Sequence, residues 1–205
     1  KAARAADILP DSSKCYEAGF SLGASTTTQD TCGEVVKTSD KRVTTQDILS
    51  ALMSFKGKIT QLPPMYSAVS VNGRRLYELA RQGIEVERQP REVEIYDIVL
   101  TSFDEAAQTG HLSITCSKGT YIRTIINDLG EKLGTYGAMS SLVGISSHGF
   151  GLDECLTLDE IKNHPSIESA IIDVDSLFEC YKRIELSDKQ AKMYKNGVKL
   201  DTTRV

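Results

Sequence analysis

The 205-residue chain contains no run of eighteen apolar residues, and no charged stretch leads into an apolar one at its start. Neither a membrane span nor a signal peptide is expected on that pattern, and the cytoplasm is the expected compartment. The five cysteines, at positions 15, 32, 116, 155 and 180, are odd in number and form no C-x-x-C pair. No histidine stands near them at ligand spacing, and His111, His148 and His164 are far apart from one another. Reduced, packing cysteines are therefore expected, with no metal and no cofactor. Internal repeats and low-complexity tracts are also lacking.

What is present is ordinary for a soluble globular chain, with 40% hydrophobic and 25% charged residues. The net charge of −4 is unevenly spread. Between Lys56 and Arg91 seven basic residues face three acidic ones, a local balance of +4, whereas Asp153 to Asp188 holds ten acids against three bases, a balance of −7. One half can face phosphates and the other cannot.

The most informative stretch is CSKGTYIRTIINDLGEKL, Cys116 to Leu133. Before it, Leu112, Ile114 and Cys116 alternate with Ser113 and Thr115, the period of a half-buried strand. Ser117, Lys118 and Gly119 break the strand. Ile122, Ile125, Ile126, Leu129 and Leu133 then mark one helical face, with Gly134 as its C-cap. Tyr121 and Arg123 fall in the first helical turn, beside unpaired N–H groups and the positive end of the helix dipole. An arginine is locally disfavoured there unless a carboxylate or phosphate sits opposite, which a guanidinium can grip bidentately. The local pattern leaves open the alternative, in which Arg123 reaches to solvent and Tyr121 only packs its ring.

Read in order, Lys1 to Leu9 looks helical. Lys14 to Leu22 alternates as a strand, with Tyr16 on the apolar side beside Ala18, Phe20 and Leu22. A hairpin leads to a short strand at Glu34 to Lys37. Thr44 and Asp47 form a capping box for a helix ended by Gly57. Pro63 and Pro64 favour an extended, exposed path. Asn72-Gly73 signals a turn, and Arg74 to Gln82 about two turns of helix ending at Gly83. By pattern alone this stretch reads as a solvated hairpin. Arg91 to Phe103 is a long strand whose apolar positions change parity near Tyr96, the mark of a bulge. Leu142 to Phe150 is a further strand, and capped helices follow at Thr157 and Ser187. Strands interleaved irregularly with helices imply an α+β fold, with a mixed, mainly antiparallel sheet flanked by helices.

Four blocks give the chain a resemblance to the TruB family, the bacterial tRNA pseudouridine synthases B. They are KCYEAGFSLGASTTTQDTCG (Lys14 to Gly33), FKGKITQLPPMYSAVSVNGRRLYELARQGIEVERQPREVEIY (Phe55 to Tyr96), CSKGTYIRTIINDLGEKLG (Cys116 to Gly134) and SSLVGISSHGF (Ser140 to Phe150). The resemblance implies a pseudouridine synthase catalytic domain over residues 1–180 with a thumb inserted at about 60–90. A linker and the start of a small C-terminal RNA-binding domain would fill residues 181–205. It implies conversion of a T-loop uridine of tRNA, with the tRNA T-stem-loop as partner, no membrane, no obligate protein partner and a monomeric state. Tyr16 matches the tyrosine that stacks on the flipped-out base, and Arg123 the arginine that pairs with a catalytic aspartate. Tyr121 and Lys118 belong to the same pocket motif, and Leu142 matches an apolar pocket residue. The thumb match gives Tyr66, Arg74, Arg75 and Arg81 an RNA-gripping role, reversing the reading from pattern alone.

The sequence departs from the family in three ways. The family's nucleophilic aspartate lies in a Gly-x-Leu-Asp-Pro-x-Ala-x-Gly motif that does not occur in these residues, so it is expected upstream of Lys1. Asp30, in a separate motif, reads as a turn residue. Val143 and Gly144 stand where the family often has paired arginines, and the resemblance implies that most of the C-terminal module is to be expected after Val205. The rival expectation for these 205 residues alone is an RNA-binding or structural module without catalysis.

Overall fold

A computed structural model describes residues 8–9 and 13–200. The helical expectation for Lys1 to Leu9 falls almost wholly outside them. The chain divides into a unit of residues 11–155, which holds every strand and three of the five α-helices among the described residues, and a second comprising residues 1–10 and 156–205.

In the first unit, β1 (Lys14–Leu22) is followed by a hairpin of β2 (Ala24–Thr26) and β3 (Val35–Thr38). Then come α1 (Thr45–Leu52), β4 (Gly57–Gln61), a small hairpin of β5 (Ser70–Val71) and β6 (Arg74–Arg75), and α2 (Leu76–Ala80). The unit is completed by β7 (Arg91–Asp104), β8 (Thr109–Cys116), α3 (Ile122–Leu133), β9 (Gly137–Ser147) and β10 (Phe150–Gly151). Six strands form one sheet in the order β10-β9-β1-β8-β7-β4, and every pairing within it is antiparallel.

The sheet's apolar face and the two longer helices close a single core. Ala18, Phe20, Ile95, Leu112 and Ile114 from the strands meet Ile48 and Leu52 of α1 and Ile122, Ile125, Ile126 and Leu129 of α3. The 3.6-residue period of α3 is what turns all four of its residues onto the sheet. Gly134 ends that helix at φ 72°, a left-handed cap. Next to it, Gly130 admits the backbone of Tyr136 and Gly137, which a Cβ would meet at 2.3 Å. Helix α3 and strand β9 therefore approach at backbone distance.

The Thr44–Asp47 capping box is present, with mutual hydrogen bonds between the two residues. The parity change in the long strand is also present: the β7–β8 register shifts between Ile95 and Asp97. Other boundaries differ from the sequence expectation. Strand β4 carries one apolar residue, Ile59, too few to signal itself. Strand β9 begins at Gly137, five residues early, because Gly137 and Ala138 are small, buried residues that pack without bulky side chains. The expected helix over Arg74 to Gln82 shortens to Leu76–Ala80, because Asn72 (φ 51°) and Gly73 (φ 79°) make a tight two-residue turn that takes Arg74 and Arg75 into a ladder with Ser70 and Val71.

The exposed path expected for the prolines is not found. Pro63 and Pro64 are both buried. The insertion has a small core of its own, with Leu76 and Leu79 buried apart from the main cluster, and Arg88 Nη1 donates to the Pro63 carbonyl at 3.0 Å. Prolines lack N–H groups, so burying them leaves no orphan donors.

In the second unit, Thr157 caps α4 (Leu158–Lys162) and Ser187 caps α5 (Asp188–Lys195), each through a capping box. Most of its described residues are exposed. Among the described residues no helix is long and apolar enough to cross a membrane.

Candidate active-site cleft

Strand β1 sets the cleft's first wall. Its ladder with β9 shifts register between Cys15 and Tyr16 and again between Gly19 and Phe20, so the Tyr16 segment is bracketed by two irregularities. Tyr16 lies opposite Gly144, where no side chain stands between its ring and the cleft. Burial, and secondarily the Cys116 thiol beside it, raises the Tyr16 phenol above the ordinary tyrosine value. The group is accordingly a neutral phenol at physiological pH.

The second wall is the mouth of α3. Tyr121 is its N-cap residue, extended at φ −97° and ψ 104°, and no side chain caps the helix. Arg123, in the first turn, is about four-fifths covered. Its Nη1 lies 3.6 Å from Asp30 Oδ2, and its Nη2 donates to the Tyr66 carbonyl. The carboxylate that the local sequence argument required at this helix end is thus supplied by Asp30.

Sequence reasoning gave Asp30 a turn role alone. That role is real: Asp30 Oδ1 accepts from Thr28 Oγ1 at 2.7 Å and from Cys32 N at 3.1 Å. The turn is also docked. Thr31 N donates to Met139 O and Met139 N to Gln29 O, at 2.9 and 3.0 Å, while Thr124 of α3 donates to Gln29 Oε1 at 2.8 Å. Gln29 takes a left-handed φ of 64° to make these bonds. No local signal foretells this, since the contacts join the loop to elements far along the chain.

Tyr16, Thr120, Tyr121, Ile122, Arg123, Met139 and Leu142 line one open hollow of about 250 Å³. Of the expected site residues, Tyr16, Tyr121, Arg123 and Leu142 therefore come together. Tyr66 joins through its carbonyl. Lys118 does not line the hollow; it stands exposed in the turn before α3. Val143 and Leu142 are both nearly half exposed on β9.

Arg74, Arg75 and Arg81 form a separate group on the insertion, all exposed. Their guanidinium contacts are with neutral groups: Arg74 Nη2 with Gln82 Oε1 at 2.8 Å, Arg75 Nη1 with the Ala68 carbonyl, and Arg81 over the Tyr77 ring at 5.5 Å. Among the described residues none of the three forms an ion pair. Nor does any cluster of three or more His, Cys, Asp or Glu side chains there stand ready to hold a metal ion.

In the unit of residues 11–155, an all-antiparallel sheet with an aromatic ring on a central strand and a guanidinium–carboxylate pair at a helix mouth form a cleft suited to a planar, polar ligand. Residues 1–122 match the profile of the TruB family pseudouridylate synthases, N terminal domain. The tRNA pseudouridine synthase B of Bacillus anthracis is 41% identical over 207 residues, covering 97% of this chain and 67% of its own length. That of Bacillus subtilis (strain 168) is 41% identical over 210 residues, covering 98% and 68%. The chain belongs to the TruB family of pseudouridylate synthases, and it spans about two thirds of the length of these relatives.

Two solved structures share the fold at lower identity. A Cbf5-Nop10-Gar1 complex contains a chain that matches at a TM-score of 0.60 and 22% identity, over 86% of this chain and 46% of its own. An H/ACA RNP bound to a substrate RNA containing 2′-deoxyuridine contains one at 0.53 and 19%, over 85% and 41%.

Proposed function

We propose that the full gene product converts a T-loop uridine of tRNA to pseudouridine in this cleft. The observation that carries the reading is the convergence of Tyr16, Tyr121, Arg123 and Leu142 on one hollow, with Asp30 paired to the Arg123 guanidinium. Family membership and the names of the Bacillus relatives support it.

The reaction breaks the C1′–N1 bond of the uridine, turns the uracil, forms C1′–C5, and moves a proton from C5, with N1 regaining one. No electron changes hands. The uridine first leaves its stack, at a cost of roughly a few kcal/mol offset by stacking on Tyr16 and by phosphate contacts from Arg74, Arg75 and Arg81. A nucleophilic aspartate outside these 205 residues attacks. Arg123 orients that carboxylate and keeps it ionised, and Asp30 holds the guanidinium in the cleft between turnovers. Tyr16 enters as a phenol, and its oxygen helps move the C5 proton late in the sequence.

The test is to supply a T-stem-loop RNA to the full gene product and to the 205-residue chain, and to measure pseudouridine by mass spectrometry. The full product should turn over and the 205-residue chain should bind RNA without turnover. Turnover by the 205-residue chain that Asp30→Ala abolishes would place the nucleophile at Asp30 instead.

A further inference from the structure

The mouth of α3 lacks what usually secures a helix start: no side chain caps it, and its first turn holds no acidic residue. Yet this turn carries Tyr121 and Arg123. The missing support comes from another element. Gln61, the last residue of β4 and only 2% exposed, lays its amide against the main chain of Tyr121. Its Oε1 accepts from Tyr121 N at 3.0 Å, and its Nε2 donates to Tyr121 O at 3.2 Å. The two partners fix the amide orientation, because only this placement of O and N satisfies both. Gln61 thus pairs with the extended N-cap residue as a neighbouring strand would. The same Tyr121 carbonyl accepts from Thr124 N and Ile125 N, so the clamp bears directly on the first helical turn.

The chain leaving Gln61 returns to the same turn five residues later, where the Tyr66 carbonyl accepts from Arg123 Nη2. Between the two contacts lie the buried Pro63 and Pro64, with φ fixed by their rings and the Pro63 carbonyl held by Arg88. The span from Gln61 to Tyr66 is therefore a stiff splint across the helix mouth.

We infer that Gln61 is a positioning residue for the reaction: through Tyr121, and with the Tyr66 carbonyl, it sets where the Arg123 guanidinium stands in the cleft. This rests on the functional reading above. Gln61 touches neither the hollow nor the reacting atoms, and a site of this kind is sensitive to small displacements of its charged group.

Two variants of the full gene product test it. Gln61→Met keeps length and bulk and removes both hydrogen bonds. It should lower the single-turnover rate on a T-stem-loop RNA by about tenfold to a hundredfold, as displacements near 1 Å do, with RNA affinity changed by less than about threefold. Gln61→Glu discriminates further. Its neutral carboxyl offers both an acceptor for Tyr121 N and a donor for Tyr121 O, whereas its carboxylate offers only acceptors. Its rate relative to the parent protein should therefore fall as pH rises through the new carboxyl's titration.

A pH-independent ratio, or equal losses of rate and affinity, would overturn the inference. If Gln61→Met fails to fold, the glutamate variant decides alone. A readout independent of activity is amide exchange over residues 120–125, expected to quicken in either variant, for the glutamate at a pH where its carboxyl is ionised, with the rest of the sheet unchanged. Unaltered exchange there overturns the clamp, whereas a parent protein that makes no pseudouridine overturns the functional reading and leaves this measurement standing.

Discussion

Arginine stands in two different settings in this molecule, one covered and one exposed. Arg123 is largely covered and meets a carboxylate, Asp30, besides a carbonyl. Arg74, Arg75 and Arg81 are exposed and meet an amide oxygen, a carbonyl and an aromatic face. In the cleft the positive charge is answered within the protein and its value is geometric. On the insertion the side chains are held in place by neutral partners that leave their charge unspent, which suits contact with a polyanion.

The comparison breaks first at Arg123. In the full gene product Arg123→Ala and Arg123→Lys should each lose at least about a hundredfold in turnover, with RNA affinity changed far less. Lysine lacks the planar fork that reaches the Asp30 carboxylate and the Tyr66 carbonyl together. Near-normal turnover in the lysine variant would reduce Arg123 to a point charge, and a collapsed melting temperature would make it structural.

Asp30→Asn sharpens the same side. Asparagine keeps the Oδ1 that accepts from Thr28 and Cys32 N, so the turn should persist while the ion pair is lost. A partly exposed pair at 3.6 Å adds little to stability, so melting should barely move while turnover falls by about tenfold. Equal losses of stability and turnover would show that the turn, and not the pair, is what matters.

On the insertion, replacing Arg74 and Arg75 by Ala should weaken RNA binding for all sequences and flatten its dependence on log salt by roughly one to two units of slope. The rate from saturating RNA should stay close to the parent's. An unchanged slope would remove the insertion from the binding surface.

The smallest expected effect lies outside both groups. Burial raises the Asp128 carboxyl on α3 above its ordinary value, and the Asn127 amide only partly counters it. A carboxyl raised on folding costs nothing below its unfolded pKa, and the cost grows as pH climbs from there through the folded value. Asp128→Asn should therefore raise the melting temperature slightly at neutral pH, and the gain should vanish below about pH 4. A gain that persists in acid would assign the effect to packing.

Much of this was legible in the residues. The apolar spacing of Ile122, Ile125, Ile126, Leu129 and Leu133 specified α3, and the alternation from Tyr16 to Leu22 specified the strand and the side on which the Tyr16 ring falls. These signals are periodic, and a core-facing period survives tertiary context. What stayed hidden depends on partners remote in sequence. Strand β4 exists because β7 offers it an edge, Pro63 is buried because the insertion folds back on itself, and Asp30 meets Arg123 because Met139 holds its loop. No window of sequence contains those pairs.

Strand β1 lies between β8 and β9, both of which are made long after it. Lys14 pairs with Cys116 on one side and Ser147 on the other. At roughly 5–20 residues per second, about 7 to 27 seconds of synthesis separate Lys14 from Ser147. Until β8 is made, Ala18, Phe20 and Leu22 sit on a strand with two open edges, and the edge that β9 will cover stays open to the end of the interval. The nascent chain must shelter its future central strand, and Tyr16 acquires the far wall of its hollow, Met139 and Leu142, only when β9 arrives.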